Sequence, residues 1–509
     1  MQDTKPNILI IQADQLAAKY LGAYGNSLAS TPHIDALAAN GTVFESAYTN
    51  FPLCAPSRFS MMSGQLASDI AAYDNGAEFP ASIPTFNHYL RNLDYQTCLV
   101  GKMHFVGADQ LHGFEQRLTT DIYPADFGWT GDWTEVRMKF GNDAITFTNA
   151  GVCLRNVQME YDDEVCHRAR RKLYDLARRN DERPFMLFAS FTHPHDPFQC
   201  RQEHWDRYRH DDIDMPLVDT AQTDMDPYSQ RLIAQYGLTD NPPTEEQVRI
   251  ARHAYYGSIS YVDDIVGELM VVLRETGLDK NTVVMLTTDH GEMLGEHGLW
   301  YKKVFFEAAC RIPLIIAHPD ADGRRIDANV SLVDLLPTLV DLAGDNALDT
   351  LVEPVAGGSL VDMVTGSTTT REQSVYAENL AEGATTALLM VKQDQFKYIY
   401  SAVDPDQLFD LANDPNEQVN QAENPEYAET AAQMLAAVEQ RWDPAGLSEL
   451  ILQSQRRRLF LREALGEEIS GEWEYIPTDE LERHCLRADR VYSQWAYDDV
   501  LGYHVPDKS

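Results

Sequence analysis

The sequence predicts an α/β protein whose core is a doubly wound sheet with helices on both faces. Short apolar runs alternate with helical patterns over about the first 340 of the 509 residues. Several runs are apolar at successive positions, which is typical of strands buried on both faces of a parallel sheet. Polar residues suited to metal binding or acid–base chemistry follow the runs directly, at the edge where open α/β sheets bind ligands.

The chain begins with a strand followed by a helix. The strand is the apolar run Asn7–Ile11, and Asp14 and Gln15 follow it. Thr31 and Pro32 then begin a helical pattern, because threonine caps a helix and proline fits its first turn. This order of elements is the start of a parallel α/β unit.

Further strands and helices continue the alternation. A long helix begins at the capping residue Thr244 and stops at Gly277. The segment 111–151 is irregular and rich in Trp, Asp and Gly, as expected of an insertion on the substrate side. The predicted strands are Thr97–Val100, Pro184–Phe191, Thr282–Leu286 and Ile312–Ile316, and the main helices are Asp163–Arg179, Thr244–Thr276 and Leu332–Ala343.

The pattern changes after Gly357 and Gly358. Four short strands predict a small antiparallel sheet, and a helix at Tyr427–Arg441 would cover it. We therefore predict a catalytic domain at 1–358, a smaller α+β domain at 359–442 and an extended C-terminal tail at 443–509. The four strands are Ser374–Glu378, Thr386–Val391, Phe396–Tyr400 and Gln407–Leu411.

Charge and cysteine content narrow the classes of function. The chain has 41 basic and 79 acidic residues and a net charge of −38, which disfavours nucleic acid and anionic membranes as partners. The acidic excess equally fits adaptation to salt or solubility. Seven cysteines without a C-x-x-C spacing support neither a disulfide framework nor a zinc finger. The first apolar run is too short for a signal peptide and no run is long enough to span a membrane, so we expect a cytoplasmic protein.

The most informative stretch is Cys54–Gly64. Pro56 suits the first turn of a helix and Gly64 its end, so a short helix is predicted with Cys54 at its start. Arg58 follows one turn later, which would place its guanidinium near the sulfur and the free N–H groups of the first turn. Such a pocket favours an anion. The alternatives are a simple reactive thiolate and a buried structural cysteine before an ordinary helix.

The string Cys54-Ala55-Pro56-Ser57-Arg58 resembles the C-x-P-S-R signature of the type I sulfatases. The resemblance implies that a maturation enzyme oxidises Cys54 to formylglycine, an aldehyde. A hydrated aldehyde carries two hydroxyls on one carbon, so one can attack sulfur while loss of a proton from the other expels sulfate. A serine could be sulfated but could not release sulfate by that route.

One divalent cation is predicted at the edge of the sheet. Asp14 and Gln15 follow the first strand, and Asp289 and His290 follow a later one. Their oxygen and imidazole donors suit a divalent cation, with the oxygen derived from Cys54 as a further ligand. Taken singly, the first aspartate is equally well a helix cap and the histidine a satisfied core residue. Their shared position after two strands favours the metal.

Cationic and basic residues complete the predicted site. Arg58, Lys102 and Lys302 would surround the remaining sulfuryl oxygens as a charge clamp. His104 and His195 are candidates for proton transfer, one taking a proton from the formylglycine hydrate and the other assisting the leaving alkoxide. Which histidine does which is open at this point.

Three further sets of basic residues are predicted to lie outside the catalytic chemistry. His193 lies two residues before His195 and is predicted to support the substrate side of the site. Lys303 and the basic run Arg456–Arg458 are predicted to face solvent.

Longer strings along nearly the whole chain are similar to those of choline sulfatases. The similarity implies the alkaline-phosphatase-like fold, a calcium-type cation (manganese or magnesium being alternatives), and hydrolysis of choline-O-sulfate to choline and sulfate. It also implies a homo-oligomer, dimer or tetramer, in which the C-terminal tail of one subunit reaches the neighbouring pocket. The strings are Ala13–Gln15, Val100–Phe105, His112–Leu118, Asp121–Trp129, Thr192–Pro197 and Asp289–Glu296.

The chain departs from that family at two places. Phe140–Ala144 stands where those enzymes have a His-Asn pair, and Tyr497–Val500 stands in place of their Met-Asp-Leu string. Sulfatase chemistry is therefore better supported than the choline substrate. A quaternary ammonium cannot donate a hydrogen bond, so a pocket holds it through aromatic faces and carboxylates. Trp129, Asp498 and Asp499 are the candidates for that role.

Two other functions stay open. The same metal, aldehyde and cations would serve an arylsulfatase or a phosphonate monoester hydrolase, which an aromatic insertion without an acidic partner would favour. A non-catalytic binding protein with unmodified Cys54 would keep the fold but lack part of the cationic set. The presence of the whole set favours an enzyme.

Overall fold

The computed structural model describes residues 5–123, 125–134, 144–178, 181–221, 224–344, 346–381, 383–466 and 473–475. The strands are β1 Asn7–Asp14, β2 Thr42–Phe44, β3 Ala47–Tyr48, β4 Gln96–Gly101, β5 Gln116–Arg117, β6 Gly151–Val152, β7 Phe185–Pro194, β8 Gln199–Cys200, β9 Thr282–Thr287, β10 Leu314–Ala317, β11 Arg324–Ile326, β12 Val330–Ser331, β13 Val375–Asn379, β14 Leu388–Gln393, β15 Phe396–Ser401 and β16 Gln407–Asp410. The helices are α1 Pro32–Asn40, α2 Cys54–Ser63, α3 Phe86–Asn92, α4 Ile145–Thr148, α5 Val157–Arg178, α6 Gln202–Trp205, α7 Pro227–Gln235, α8 Glu245–Thr276, α9 Glu307–Cys310, α10 Leu335–Leu342, α11 Val361–Thr365, α12 Ala428–Arg441 and α13 Pro444–Leu465.

The predicted α/β sheet is confirmed and has eight strands. Their order is β11-β2-β10-β9-β1-β7-β4-β5. The central strands β9, β1, β7 and β4 are parallel, so their carboxyl ends lie at one edge of the sheet. The first strand is apolar on both sides because it is covered on both. Ile8 and Ile10 belong to one hydrophobic core, whereas Leu9 and Ile11 belong to the other.

One strand differs from a purely parallel sheet. β10 runs antiparallel to both β9 and β2. It begins at Leu314, two residues later than predicted. Pro313, immediately before it, lacks the N–H group that a strand residue donates to its neighbour, which accounts for the later start.

Helix α8 confirms the predicted boundaries. The Thr244 side chain accepts a hydrogen bond from the backbone N–H of Gln247, and the Gln247 side-chain oxygen accepts one from the Thr244 N–H. Gly277 ends the helix with a positive φ of 72°, a conformation that glycine adopts without strain. The buried stripe of α8 packs on the sheet face that includes Leu9 and Ile11.

The second sheet also forms as predicted. Strands β13 to β16 are antiparallel in sequence order, and α12 and α13 follow them. Two predictions about surface residues are wrong. Lys303 is 1% exposed and Arg458 is 5% exposed, because both side chains pack inside the molecule, and only the neighbouring Arg456 and Arg457 face solvent.

Two negative findings concern the described residues only. Within them, no helix is both long and apolar enough to cross a membrane. The six cysteines among them form no disulfide.

Candidate active site

The site lies at the carboxyl edge of the four parallel strands. β1 ends at Asp14, β4 leads into Lys102, β7 leads into His195, and β9 leads into Asp289. The edge therefore collects residues that are far apart in sequence, as the alternation of strands and helices predicts.

Cys54 is the first residue of α2 and is 2% exposed. Its Sγ lies 3.2 Å from His290 Nε2. The backbone N–H of Ala55 is capped from another segment, because it donates to Asn75 Oδ1 at 3.0 Å. The sulfur thus sits at a helix start whose next amide is already bonded, and Gly64 ends the helix with φ 67° as predicted.

Four predicted ligand residues meet around the sulfur. One potential ligand atom each from Asp14, Cys54, Asp289 and His290 lies within 4.8 Å of the others, and all four residues are buried. His290 Nδ1 lies 3.0 Å from the Gly291 carbonyl oxygen, which can only accept, so Nδ1 carries the hydrogen and Nε2 offers a lone pair. Burial lowers the pKa of His290, which favours this neutral form.

Asp14 carries a buried negative charge. Its Oδ2 accepts from Arg58 Nη2 at 2.8 Å and lies 2.6 Å from Lys102 Nζ. Burial alone would raise the pKa of Asp14, but these two cations hold it well below its usual range. The other oxygen, Oδ1, is buried and has no hydrogen-bond partner among the described residues. An unsatisfied buried carboxylate oxygen is costly unless it binds something, and a metal ion fits that need.

Arg58 is the central cation and is fully buried. Its Nε donates to Asp289 Oδ2 at 2.8 Å, and its Nη1 donates to the Lys102 carbonyl oxygen at 2.7 Å and to Ser190 Oγ at 2.9 Å. Burial opposes the charge of this guanidinium, but Asp289 and Asp14 raise its pKa above the ordinary arginine value. Arg58 therefore fixes the two carboxylates relative to each other.

Gln15 is placed differently from the other predicted ligands. Its backbone has φ 63°, and its N–H donates to Asp289 Oδ1 at 3.1 Å. Its side-chain amide bonds to residues outside the cluster of ligands: the nitrogen donates to Glu292 and the oxygen accepts from Lys302. The role of Gln15 as a metal ligand stays a prediction.

Lys302 and His195 form a bonded pair next to this amide. Lys302 Nζ lies 2.9 Å from His195 Nε2, and His195 Nδ1 lies 2.6 Å from the Asp196 carbonyl oxygen. The carbonyl can only accept, so Nδ1–H donates to it and Nε2 accepts from the ammonium. Burial and Lys302 lower the pKa of His195 well below its usual value. Burial opposes the charge of Lys302, but the pKa of Lys302 is raised by Cys54 and Asp196.

His104 has a different environment. It is 1% exposed, has φ 65°, and neither ring nitrogen has a hydrogen-bond partner among the described residues. Its backbone N–H donates to Asp121 Oδ2 at 2.7 Å. The ring meets the half-buried ring of Trp129 edge-on, with 5.6 Å between centroids.

His193 lies outside this group of contacts. Its Nδ1 is 2.7 Å from Asp162 Oδ2, and its ring packs edge-on against Tyr261. Its predicted support of the substrate is not tested by this contact. Asp498 and Asp499 lie outside the described residues.

Several residues of the site were missed in the sequence. The Tyr123 ring centroid lies 4.4 Å from Lys102 Nζ. Ser190 accepts a hydrogen bond from Arg58, and Asn75 accepts one from the Ala55 N–H. Burial raises the pKa of Glu292 to about 7. Glu292, Asp196 and Tyr123 stand inside strings that resemble family motifs, so those strings held a usable signal. Ser190 and Asn75 carry no signal of their own in one sequence.

Lys303 connects the site to the second sheet. Its carbonyl oxygen accepts from Asn379 Nδ2 at 2.6 Å and from Tyr228 Oη at 2.7 Å. Its backbone N–H donates to the Pro52 carbonyl oxygen at 3.0 Å. The residue after Lys302 is thus held between the approach to Cys54 and the end of β13.

Comparison with known proteins supplies the family. A family model described as Sulfatase matches residues 6–345. The chain belongs to the sulfatase family. A second model, N-sulphoglucosamine sulphohydrolase, C-terminal, matches residues 295–443. The chain is therefore a sulfuric ester hydrolase, and the family implies a divalent metal together with a formylglycine formed from cysteine.

Two relatives by sequence and one solved structure are similar to this sulfatase. It is 44% identical to a choline-sulfatase of Rhizobium meliloti (strain 1021), over 96% of each chain. It is 28% identical to an arylsulfatase of Clostridium perfringens (strain 13 / Type A), covering 84% of this chain and 92% of that one. The crystal structure of a phosphonate monoester hydrolase of Agrobacterium radiobacter has a TM-score of 0.69 at 23% identity, covering 86% of this chain and 96% of that one. The last of these shows the fold alone.

Proposed function

We propose that this sulfatase hydrolyses choline-O-sulfate to choline and sulfate. The observation that carries the sulfuryl chemistry is the meeting of Asp14, Cys54, Asp289 and His290 within 4.8 Å. The choline assignment is supported by 44% identity over 96% of each chain to a protein named choline-sulfatase. The contact of the Trp129 ring with the predicted catalytic residue His104, with 5.6 Å between ring centroids, supports Trp129 as the aromatic face for the ammonium.

The donor set fits a divalent cation. Asp14, Asp289 and His290, with Gln15 as a further predicted ligand, would hold it, and the unpartnered Oδ1 of Asp14 supports that role. We propose Ca²⁺ because most of the donors are hard oxygens, with Mn²⁺ or Mg²⁺ as alternatives. When bound, the metal supplies Lewis-acid stabilisation of the charge on the sulfuryl oxygens.

Cys54 is proposed as the nucleophile precursor. A formylglycine-generating maturation enzyme would convert it, and the product supplies a hydrated aldehyde as the nucleophile. The Sγ position at the start of α2 supports this, because the sulfur, whose place the new oxygen takes, lies 3.2 Å from His290 Nε2. Cys54 is 2% exposed, so the reacting atoms have little contact with bulk water.

Arg58, Lys102 and Lys302 are proposed to bind the sulfate oxygens. All three are at most 2% exposed, so their charges act in a medium of low polarity where they are worth more than in water. Arg58 and Lys102 form ion pairs with Asp14, which keep both cations in place before a substrate arrives. The third is free of that carboxylate and bonds to His195.

The hydrogen bonds suggest how the two histidines divide the proton transfers. A general base needs an unshared lone pair, and His104 has both ring nitrogens unpartnered among the described residues. The Nε2 lone pair of His195 is already taken by the Lys302 ammonium, at 2.9 Å. The one hydrogen of neutral His195 is on Nδ1 and is bonded to the Asp196 carbonyl, so the proton for the leaving oxygen comes from the Lys302 ammonium. We therefore assign the base to His104 and the protonation of the leaving oxygen to Lys302, which is held by His195 Nε2.

The choline end of the substrate is assigned to Trp129 and to the tail. An aromatic face attracts a quaternary ammonium by about 0.5–2 kcal/mol. Asp498 or Asp499 from a neighbouring subunit would add a carboxylate, which requires a homo-oligomer, either a dimer or a tetramer. His193 is proposed to support the site only through the position of the β7 end, since its ring is bonded to Asp162.

An aryl sulfate or a phosphonate monoester is the second candidate substrate. It is favoured by the absence of the family's His-Asn pair at 140–144 and by the arylsulfatase among the relatives. A binding protein with unmodified Cys54 is the remote alternative, and the complete set of charged side chains argues against it.

One rate comparison tests the proposal. The purified enzyme, with its metal and formylglycine contents measured, is assayed with choline sulfate, 4-nitrophenyl sulfate and a phenyl phosphonate monoester. The proposal expects the highest kcat/KM for choline sulfate. A higher kcat/KM for either aryl ester would overturn the choline assignment, and no turnover of any substrate by fully converted enzyme would overturn the enzyme assignment.

A further inference from the structure

Arg458 is the buried member of a basic run on helix α13. The inner face of this helix buries Leu447, Ile451, Gln455 and Arg458, whereas Arg457 faces solvent. A guanidinium is rarely buried without partners, because removing its charge from water costs several kcal/mol. Its partners therefore indicate what it is for.

The first partner is Asp74, which is fully buried. Arg458 Nη2 donates to Asp74 Oδ2 at 2.8 Å, and Nη1 donates to the other carboxylate oxygen in the two-pronged geometry that arginine favours. The next residue, Asn75, accepts the Ala55 N–H beside Cys54 at 3.0 Å. The guanidinium is thus two short links from the start of α2.

The second partner is Thr130, which follows Trp129. Arg458 Nη1 also donates to Thr130 Oγ1 at 3.2 Å. The turn after Asp74 lies against the same segment, because a Cβ built on Gly76 would stand 2.5 Å from the Thr130 nitrogen and 2.7 Å from the Trp129 carbonyl carbon. One turn earlier on α13, Gln455 accepts the Trp133 N–H at 3.0 Å.

We propose that Arg458 is a positioning residue that sets the distance between the Cys54 end of the site and Trp129. Its two-pronged bond holds the turn that caps α2, and its third contact holds the backbone that presents the Trp129 ring to His104. The choline part of this inference rests on the proposed function. A change of Arg458 should therefore alter recognition of the cationic end of the substrate more than the sulfuryl chemistry.

The test compares choline sulfate with 3,3-dimethylbutyl sulfate, an isostere in which carbon replaces nitrogen, so that the sulfate anion is kept and the positive charge is absent. The measured quantity is the ratio of the two kcat/KM values, per formylglycine. Arg458→Met should lower this ratio by about 5-fold, since that is the order of one cation–π contact. Arg458→Lys should lower it less, because its single ammonium keeps the charge opposite Asp74. The matched control Arg457→Met, one residue away and exposed, should leave the ratio unchanged.

A second variant and a second measurement guard against misfolding. Thr130→Val keeps the shape of the side chain and removes only the third contact, so it should lower the same ratio by about 3-fold without burying an unpaired charge. Amide hydrogen exchange of residues 127–133 should be faster in Arg458→Met and Thr130→Val than in the wild type or Arg457→Met. This measurement needs no substrate.

The outcomes separate the inference from the proposed function. If the wild type does not prefer choline sulfate over its isostere, the proposed function is wrong, and faster exchange at 127–133 alone supports the positioning role. If the wild type prefers choline sulfate but both variants keep its ratio, Arg458 only stabilises the fold and the inference is overturned. Unchanged exchange in both variants overturns it as well.

Discussion

Lys302 Nζ lies 2.9 Å from His195 Nε2, so an ammonium donates to the lone pair that a catalytic histidine would otherwise use as a base. The opposite ring nitrogen is bonded to a backbone carbonyl, which fixes the tautomer. His104, by contrast, has both nitrogens unpartnered among the described residues. The two histidines of the site therefore differ in whether a ring nitrogen has a lone pair available to accept a proton.

This difference predicts how each histidine responds to the leaving group. His195→Ala should lower kcat for choline sulfate by about 100-fold or more, because its leaving group is a poorly acidic alcohol. The same change should lower kcat for 4-nitrophenyl sulfate much less, because its leaving group is a stable phenolate. His104→Ala should lower kcat for both esters by similar factors. Steady-state rates with the two esters measure this. Equal losses in the His195 variant would contradict its assigned part in the protonation of the leaving oxygen.

Conversion of Cys54 is expected in the active enzyme. Mass analysis of the peptide that contains residue 54 should show an aldehyde in place of the thiol, and activity should follow the converted fraction. Cys54→Ala should have no measurable turnover, because no other group offers two hydroxyls on one carbon. Cys98→Ala is the matched control, since Cys98 is also a buried cysteine but lies within β4. Full activity with only unmodified cysteine would contradict the prediction.

Asp289 should be required for metal retention. Asp289→Ala removes one predicted ligand and also the partner of Arg58, at 2.8 Å, so the metal content and the turnover should fall together. Elemental analysis of the purified variant measures the first and steady-state rates the second. Asp334→Asn is the control, because that buried carboxylate accepts the backbone N–H groups of Ser331 and Gly358 and belongs to no group of potential metal ligands among the described residues. A fully loaded Asp289→Ala protein would show that the ligand assignment is wrong.

Trp129 and the tail should matter most for a cationic substrate. Trp129→Leu should raise KM for choline sulfate by roughly 3- to 30-fold, as the loss of a cation–π contact predicts, and should change KM little for an aryl sulfate, which has no cationic group. Removal of the chain from Trp495 onward, which takes away Asp498 and Asp499, should have the same selectivity. Initial-rate assays with both esters decide this. Equal changes for both substrates would mean that these groups only stabilise the assembly.

Acid should destabilise the fold partly through His253. Burial lowers the pKa of His253 to about 4, whereas an unfolded histidine titrates near about 6.5. Between these values the unfolded chain binds more protons, so the free energy of unfolding falls as the pH falls, by at most about 1.4 kcal/mol per pH unit. Urea titrations at pH 7.5, 6 and 5 should show His253→Asn losing less stability than the wild type over this range. Parallel pH profiles would contradict the assignment.

The sheet and most of the site could be predicted because their signals are local in sequence. Each parallel strand is an apolar run, and the polar residues that follow it, such as Asp14 and Asp289, reach the same edge by geometry alone. The direction of β10 could not be predicted, because the alternation of strands and helices does not encode it. The hydrogen bonds of His195 and His104 also depend on distant residues.

Arg458 shows most clearly where sequence reasoning fails. In the run Arg456–Arg458 the composition indicates a solvated face, and only the buried spacing of Leu447, Ile451 and Gln455 points the last arginine inward. That stripe contains two polar residues among four, so hydrophobic periodicity does not detect it. Its meaning depends on Asp74, which is far away in the chain.

The carbonyl oxygen of Lys303 accepts hydrogen bonds from Asn379 and Tyr228, which has a consequence for where a gene encoding this chain can be divided. The hydrogen bonds of the backbone next to Lys302 are completed by the last residue of β13, so we expect a chain that ends near residue 358 to hold this cation poorly. A gene fusion or recombination event with its breakpoint near residue 358 would separate Lys302 from Asn379. The C-terminal family model, which matches residues 295–443, spans both Lys302 and Asn379 and crosses the predicted domain boundary.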